Sequence, residues 1–146
     1  MTDVEWPARM QRLRTGPLVE AAPGAELWLD GGHNPAAGAA LAKTLASLPK
    51  RATYLICGML STKDVTGYLA PLADEAVSLH AVAIPGETAT LSAEETAEAA
   101  AAVGMKTTVA AGVADALTEI VASDPSARVL ICGSLYLAGA ILRENG

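Results

Sequence analysis

The sequence has no phenylalanine and only two tryptophans and three tyrosines. Stacking of aromatic rings on nucleic-acid bases is therefore not expected. Excess positive charge is lacking as well. Ten Lys and Arg stand against sixteen Asp and Glu, a formal net charge of −6. That balance argues against nucleic acid or an anionic membrane as the main partner. It leaves a small phosphate or carboxylate ligand open, because helix N-termini and one or two arginines supply local positive potential. No apolar run reaches about 18 residues, so no transmembrane helix is expected. The stretch from Met1 to Pro7 has neither a basic region nor an apolar run and does not read as a signal peptide. A cytoplasmic location is the expectation. Cys57 and Cys132 are too few for a metal site and read as buried reduced thiols. Also absent are a Gly-x-x-x-x-Gly-Lys-Ser/Thr phosphate loop, a Gly-x-Gly-x-x-Gly after the first strand, a zinc motif and a nucleophile elbow. The chain reads as half of an active site.

What is present reads as one ordered domain. The length of 146 residues suits a single core, and 51% hydrophobic against 18% charged residues excludes disorder. Residues 1–16 read as a connector with at most a short strand. Gly16-Pro17 marks a turn, residues 17–22 a short edge strand, and Pro23-Gly24 another turn. So short a connection predicts antiparallel pairing with the next strand, residues 26–30. Helices are then predicted over 35–48, 64–73, 92–103, 112–122 and 134–144, and strands over 52–57, 76–83, 106–109 and 128–132. Ser92 with Glu95 is a capping-box signature, and Gly104 a C-cap. Strands alternating with helices predict right-handed βαβ units. The expected fold is α/β: a Rossmann-like three-layer domain. Its mostly parallel, about six-stranded sheet has one antiparallel edge strand, with helices on both faces.

The most informative stretch is Leu27-Trp28-Leu29-Asp30-Gly31-Gly32-His33-Asn34-Pro35. An apolar strand runs through two glycines into a helix start. Asn34 is a good N-cap, and Pro35 suits the first helical position. Asp30 and His33 are thereby held at the mouth of a strand–turn–helix unit, where ligands bind in open α/β sheets. They also read simply as polar turn residues. Gly58, the Lys63-Asp64 loop, Pro85-Gly86 and Gly133-Ser134 collect at the same edge. Lys63-Asp64 reads equally as a surface ion pair, Ser134 as a helix cap, and His80 as a structural histidine within a strand.

Four motifs occur in order: Trp6-Pro7-Ala8-Arg9, Asp30-Gly31-Gly32-His33-Asn34-Pro35, Gly58 to Lys63-Asp64, and Cys132-Gly133-Ser134-Leu135-Tyr136. Together they resemble the carboxy-terminal domain of the folylpolyglutamate synthase/dihydrofolate synthase enzymes, within the Mur ligase superfamily. Residues 17–146 would be that glutamate ligase domain and residues 1–16 the interdomain connector, with the amino-terminal ATPase domain absent from this chain. The resemblance implies an ATP-dependent ligase that activates dihydropteroate or a folate as an acyl phosphate, which L-glutamate then attacks. It implies ATP contacts at Arg9 and Asp30, glutamate contacts at His33 and Ser134, and an anion contact at Lys63. Mg2+ ligands are expected in the ATPase domain, and none in this chain. Ala8 and Gly32 stand where the family often has Gly and Ala. Two alternatives are a non-enzymatic α/β module that binds a small anion or a protein partner, and a Mur-type peptidoglycan ligase domain.

Overall fold

The computed structural model describes residues 10–32, 34–59, 65–84 and 91–145. Among the described residues six strands form one sheet: β1 (Gln11–Leu13), β2 (Glu26–Leu29), β3 (Thr53–Cys57), β4 (Ser78–Ala81), β5 (Thr107–Val109) and β6 (Arg128–Cys132). The helices are α1 (Pro17–Ala21), α2 (Pro35–Ser47), α3 (Val65–Leu69), α4 (Ala93–Ala102), α5 (Val113–Ser123) and α6 (Leu135–Asn145), with a 3-10 turn after α3. The strand order is β1-β2-β6-β3-β4-β5. Only β1 runs antiparallel, against β2.

The strands alternate their side chains between two cores, as the period of two requires. Leu27, Leu29, Ile56, Val129 and Ile131 face one core, closed by Leu117 and Ile120 of α5 and Leu137 and Ile141 of α6. Leu55, Cys57, Leu79, Leu130 and Cys132 face the other, closed by Leu41 and Leu45 of α2, Leu69 of α3 and Ala97 of α4. Burial of each such leucine contributes about 1.5–3 kcal/mol. Helices therefore cover both faces, as the alternation predicts. Cys57 and Cys132 are buried free thiols, as expected.

One expectation is overturned. Residues 17–21 form helix α1, and the antiparallel edge strand is Gln11–Leu13. Gly16, with φ 106, turns the chain, and Pro17 at the first helical position starts a helix there. The pairing expected of 17–22 is taken by Gln11, Arg12 and Leu13, opposite Leu29, Trp28 and Leu27. Arg12 places its guanidinium 5.6 Å from the centroid of the Trp28 ring, a cation–π contact.

The amino ends of the central strands are tied together. The Glu26 carboxylate accepts from Arg128 Nε at 2.7 Å, Trp28 Nε1 at 2.7 Å and Arg51 Nη1 at 3.2 Å. Arg128 also donates to the Pro49 carbonyl, and Arg51 to those of Gly24 and Ser126. Burial works to raise the Glu26 pKa, but the Arg128 and Trp28 bonds with the charges of Arg128 and Arg12 outweigh it, and the net shift is downward. His80 lies in β4, buried, with Nδ1 3.6 Å from Glu119 on α5. Burial lowers its pKa, and Glu119 only partly offsets that. Both the burial and the position suit the structural role expected of it.

Candidate functional site

The carboxyl ends of β2 and β6 lie side by side, with Leu29 opposite Ile131. The helices that follow them leave in opposite directions. α2 packs on one face through Leu41 and Leu45, and α6 on the other through Leu137 and Ile141. Such divergence opens a crevice above the strand ends, the usual ligand position in this architecture. Both helices aim their N-termini at that edge, and neither carries an acidic residue in its first turn. Their positive ends are left uncompensated by side chains.

Asp30 stands at the end of β2. Its backbone N–H donates to the Ile131 carbonyl, which extends the ladder by one residue. The carboxylate is gripped by backbone: Oδ1 accepts from Gly32 N–H at 2.8 Å and Oδ2 from Met10 N–H at 3.1 Å. Asp30 is buried, so this grip fixes its direction. Among the described residues each oxygen accepts one bond and keeps a further lone pair. Met10 adopts a φ of 42, a left-handed conformation uncommon outside glycine. Just beyond, Asn34 caps α2 by accepting from Ala37 N–H at 2.8 Å, and Pro35 occupies the first turn. The helix start read from the sequence is the one observed.

Ser134 stands across the crevice, at the start of α6, fully buried. Its Oγ accepts from Tyr136 N–H at 3.0 Å, the cap expected of it, and among the described residues its O–H donates to no partner. Tyr136 is exposed at this edge. Gly133 makes the turn from β6 into α6 with φ 109. A Cβ there would lie 2.6 Å from the Gly58 carbonyl and 2.9 Å from Cys57 Sγ, so only glycine fits. The structure thus brings Asp30 and Ser134 to one edge on adjacent strands. Arg9, His33, Lys63, Asp64 and Pro85-Gly86, the other positions singled out from sequence, lie outside the described residues.

The core on the α2 side holds a buried polar group that no motif announces. Tyr68 of α3 is fully buried, in the core that also holds Cys57, Met59 and Cys132. Its hydroxyl has no hydrogen-bond partner among the described residues. Such a group costs about 1–3 kcal/mol. Burial, then Cys132, Cys57 and Asp30, push its pKa well up, so the phenol keeps its proton. The nearest sequence signal is that this buried aromatic position carries Tyr in a chain with no Phe. The Cys132 thiol and burial likewise push the Cys57 thiol up, which removes it as a nucleophile. Among the described residues no three His, Cys, Asp or Glu side chains converge as metal ligands. No helix among them is long and apolar enough to cross a membrane.

Comparison with known proteins places this arrangement. The family described as "Mur ligase, glutamate ligase domain" matches residues 8–135. Folylpolyglutamate synthase of Lacticaseibacillus casei is 29% identical over 136 residues, covering 93% of this chain and 29% of that protein. The structure of Mycobacterium tuberculosis folylpolyglutamate synthase complexed with ADP and AMPPCP matches with a TM-score of 0.77 and 31% identity, over 96% of this chain and 32% of that one. A bifunctional folylpolyglutamate synthase/dihydrofolate synthase with Mn, AMPPNP and L-glutamate bound matches with a TM-score of 0.71 and 25% identity, over 95% of this chain and 32% of that one. The chain therefore spans about a third of the length of these relatives. With the family matched over most of its length and the fold shared across its six-stranded sheet, the chain belongs to the Mur ligase, glutamate ligase domain family.

Proposed function

We propose that this chain is the glutamate-presenting domain of an ATP-dependent ligase that joins L-glutamate to dihydropteroate or a folate through an acyl phosphate. The observation that carries the reading is the juxtaposition of the carboxyl ends of β2 and β6, with Asp30 held by two backbone amides after one and Ser134 capping the helix after the other, in a member of this family. The M. tuberculosis relative binds ADP and AMPPCP, and the bifunctional relative AMPPNP, Mn and L-glutamate.

In this reading Asp30 accepts hydrogen bonds from ribose hydroxyls through the lone pairs its backbone donors leave unused. Ser134 donates its O–H to the carboxylate of glutamate, beside the positive end of α6. His33 faces the same amino acid, Lys63 meets an anion in the cleft, and Arg9 forks onto phosphate oxygens. The segment before β1 acts as the connector to a preceding ATPase domain, which supplies the phosphate loop, while β1 itself belongs to this domain's sheet. The described residues do not fit a divalent cation, since no three ligands converge. Magnesium ligands are placed in that other domain, as the resemblance implies. Closure of the crevice against the ATPase domain excludes water from an acyl phosphate that would otherwise hydrolyse. A cytoplasmic setting goes with this chemistry.

The test is a pair of variants in the assembled ligase. Asp30→Asn is expected to raise KM for ATP about tenfold or more, and Ser134→Ala to raise KM for glutamate instead. Unchanged KM values in both variants would overturn the site.

A further inference from the structure

Among the described residues Met10 is the only one other than glycine with a positive φ, 42. A residue with a Cβ adopts that left-handed conformation at a cost, so its surroundings must hold it there. On one side β1 is locked to β2, with Gln11 opposite Leu29 and the buried Leu13 opposite Leu27. The Arg12 guanidinium 5.6 Å from the Trp28 ring centroid adds to that lock. The chain is thereby fixed from Gln11 onward, and the left-handed turn falls on Met10. The same register, continued by one residue, sets Met10 opposite Asp30. There the Met10 N–H donates to the Asp30 side chain, at 3.1 Å from Oδ2. The other oxygen, Oδ1, accepts from Gly32 N–H, within the turn that Asp30 itself begins. Among the described residues, Met10 is thus the only donor that holds the carboxylate from outside its own turn.

We propose that Met10 is a positioning residue for Asp30 whose strained backbone works as a latch. In the left-handed conformation its amide holds Oδ2. Relaxation of Met10 to a negative φ withdraws the amide and leaves the carboxylate free to turn about the Gly32 bond. A nucleotide that hydrogen-bonds to Asp30 favours the latched conformation, and the latched conformation favours the nucleotide by the same factor. The two do not compete, because the amide and the ligand use different lone pairs. Residue type at position 10 sets the balance. Glycine and asparagine enter the left-handed region readily, and a β-branched residue resists it. Met10 acts through Asp30, so the proposal rests on the nucleotide role given to Asp30 above.

The test is steady-state kinetics and thermal melting of Met10→Gly, Met10→Asn and Met10→Val in the assembled ligase, beside Asp30→Asn. The Met10 side chain packs, partly buried, against the core on the α2 side. A purely structural role therefore makes Met10→Gly and Met10→Asn the worst variants in both readouts and Met10→Val the mildest. The latch reverses that order in KM for ATP. Met10→Gly and Met10→Asn are expected to keep KM within about twofold of the parent, or lower it, even where they melt earlier, and Met10→Val to raise KM about fivefold with kcat unchanged. A parental KM in Met10→Val, or a rise in Met10→Gly and Met10→Asn as large as in Met10→Val, would overturn the proposal. If Asp30→Asn raises KM while Met10→Val does not, the nucleotide role stands and the latch falls. If Asp30→Asn leaves KM unchanged, the nucleotide role falls and the latch with it.

Discussion

The three central strands β2, β6 and β3 have two ends of opposite character. At the amino ends, Glu26, Arg128 and Arg51 satisfy one another and the backbone around them. At the carboxyl ends, among the described residues, Asp30 and Ser134 spend only part of their hydrogen-bonding capacity and the Tyr68 hydroxyl spends none. The same strands thus carry stability at one end and leave bonds open at the other. Polar groups left partly unsatisfied under a crevice are what a ligand site needs and what a purely structural end avoids.

That contrast can be broken most severely at the amino end. Glu26→Ala leaves the Arg128 guanidinium buried and uncompensated, since Arg128 is only 3% exposed. Removing one partner of such a pair costs about 3–5 kcal/mol. Chemical denaturation of the variant is expected to show a loss of that size. A loss below about 1 kcal/mol would mean that the ends do not differ as described.

Next in size is Gly133→Ala, which strikes stability and site together. The positive φ and the approach to the Gly58 carbonyl forbid a Cβ without backbone movement. A cost of about 1–3 kcal/mol is expected, with weaker use of glutamate because Ser134 moves with the turn. Denaturation midpoints and the KM for glutamate would record it.

The smallest expected effect is acid sensitivity. The Glu26 pKa is lowered from 4.5 in the folded protein, so its contribution is fully present above about pH 4.5 and is lost as pH falls through the folded value. Stability measured against pH below 4.5 should fall more steeply in the parent than in Glu26→Ala. Parallel curves would show that Glu26 does not govern the acid limb.

Much of this contrast is legible in the order of the residues alone. The Asn34-Pro35 start of α2, the Ser134 cap, the capping box at Ser92 and the alternation of strands and helices are local signals, and each is observed. The edge strand is not legible. Gln11–Leu13 is three residues long, too short to show alternation, while Leu18-Val19 after a Gly-Pro turn imitates a strand. Tyr68 is illegible for a different reason. Its neighbours Cys57 and Cys132 meet only because β6 inserts between β2 and β3, a consequence of topology that no local pattern encodes. The ion-pair knot has the same origin, since Glu26 and Arg128 are far apart in sequence and begin adjacent strands.

The most direct measurement is steady-state KM for ATP in the assembled ligase carrying Asp30→Asn, set beside Glu26→Ala at a temperature where both remain folded. The account predicts a KM raised about tenfold or more in Asp30→Asn and unchanged in Glu26→Ala. A parental KM in Asp30→Asn, or equal losses in the two variants, would contradict the division of labour between the two ends of the sheet.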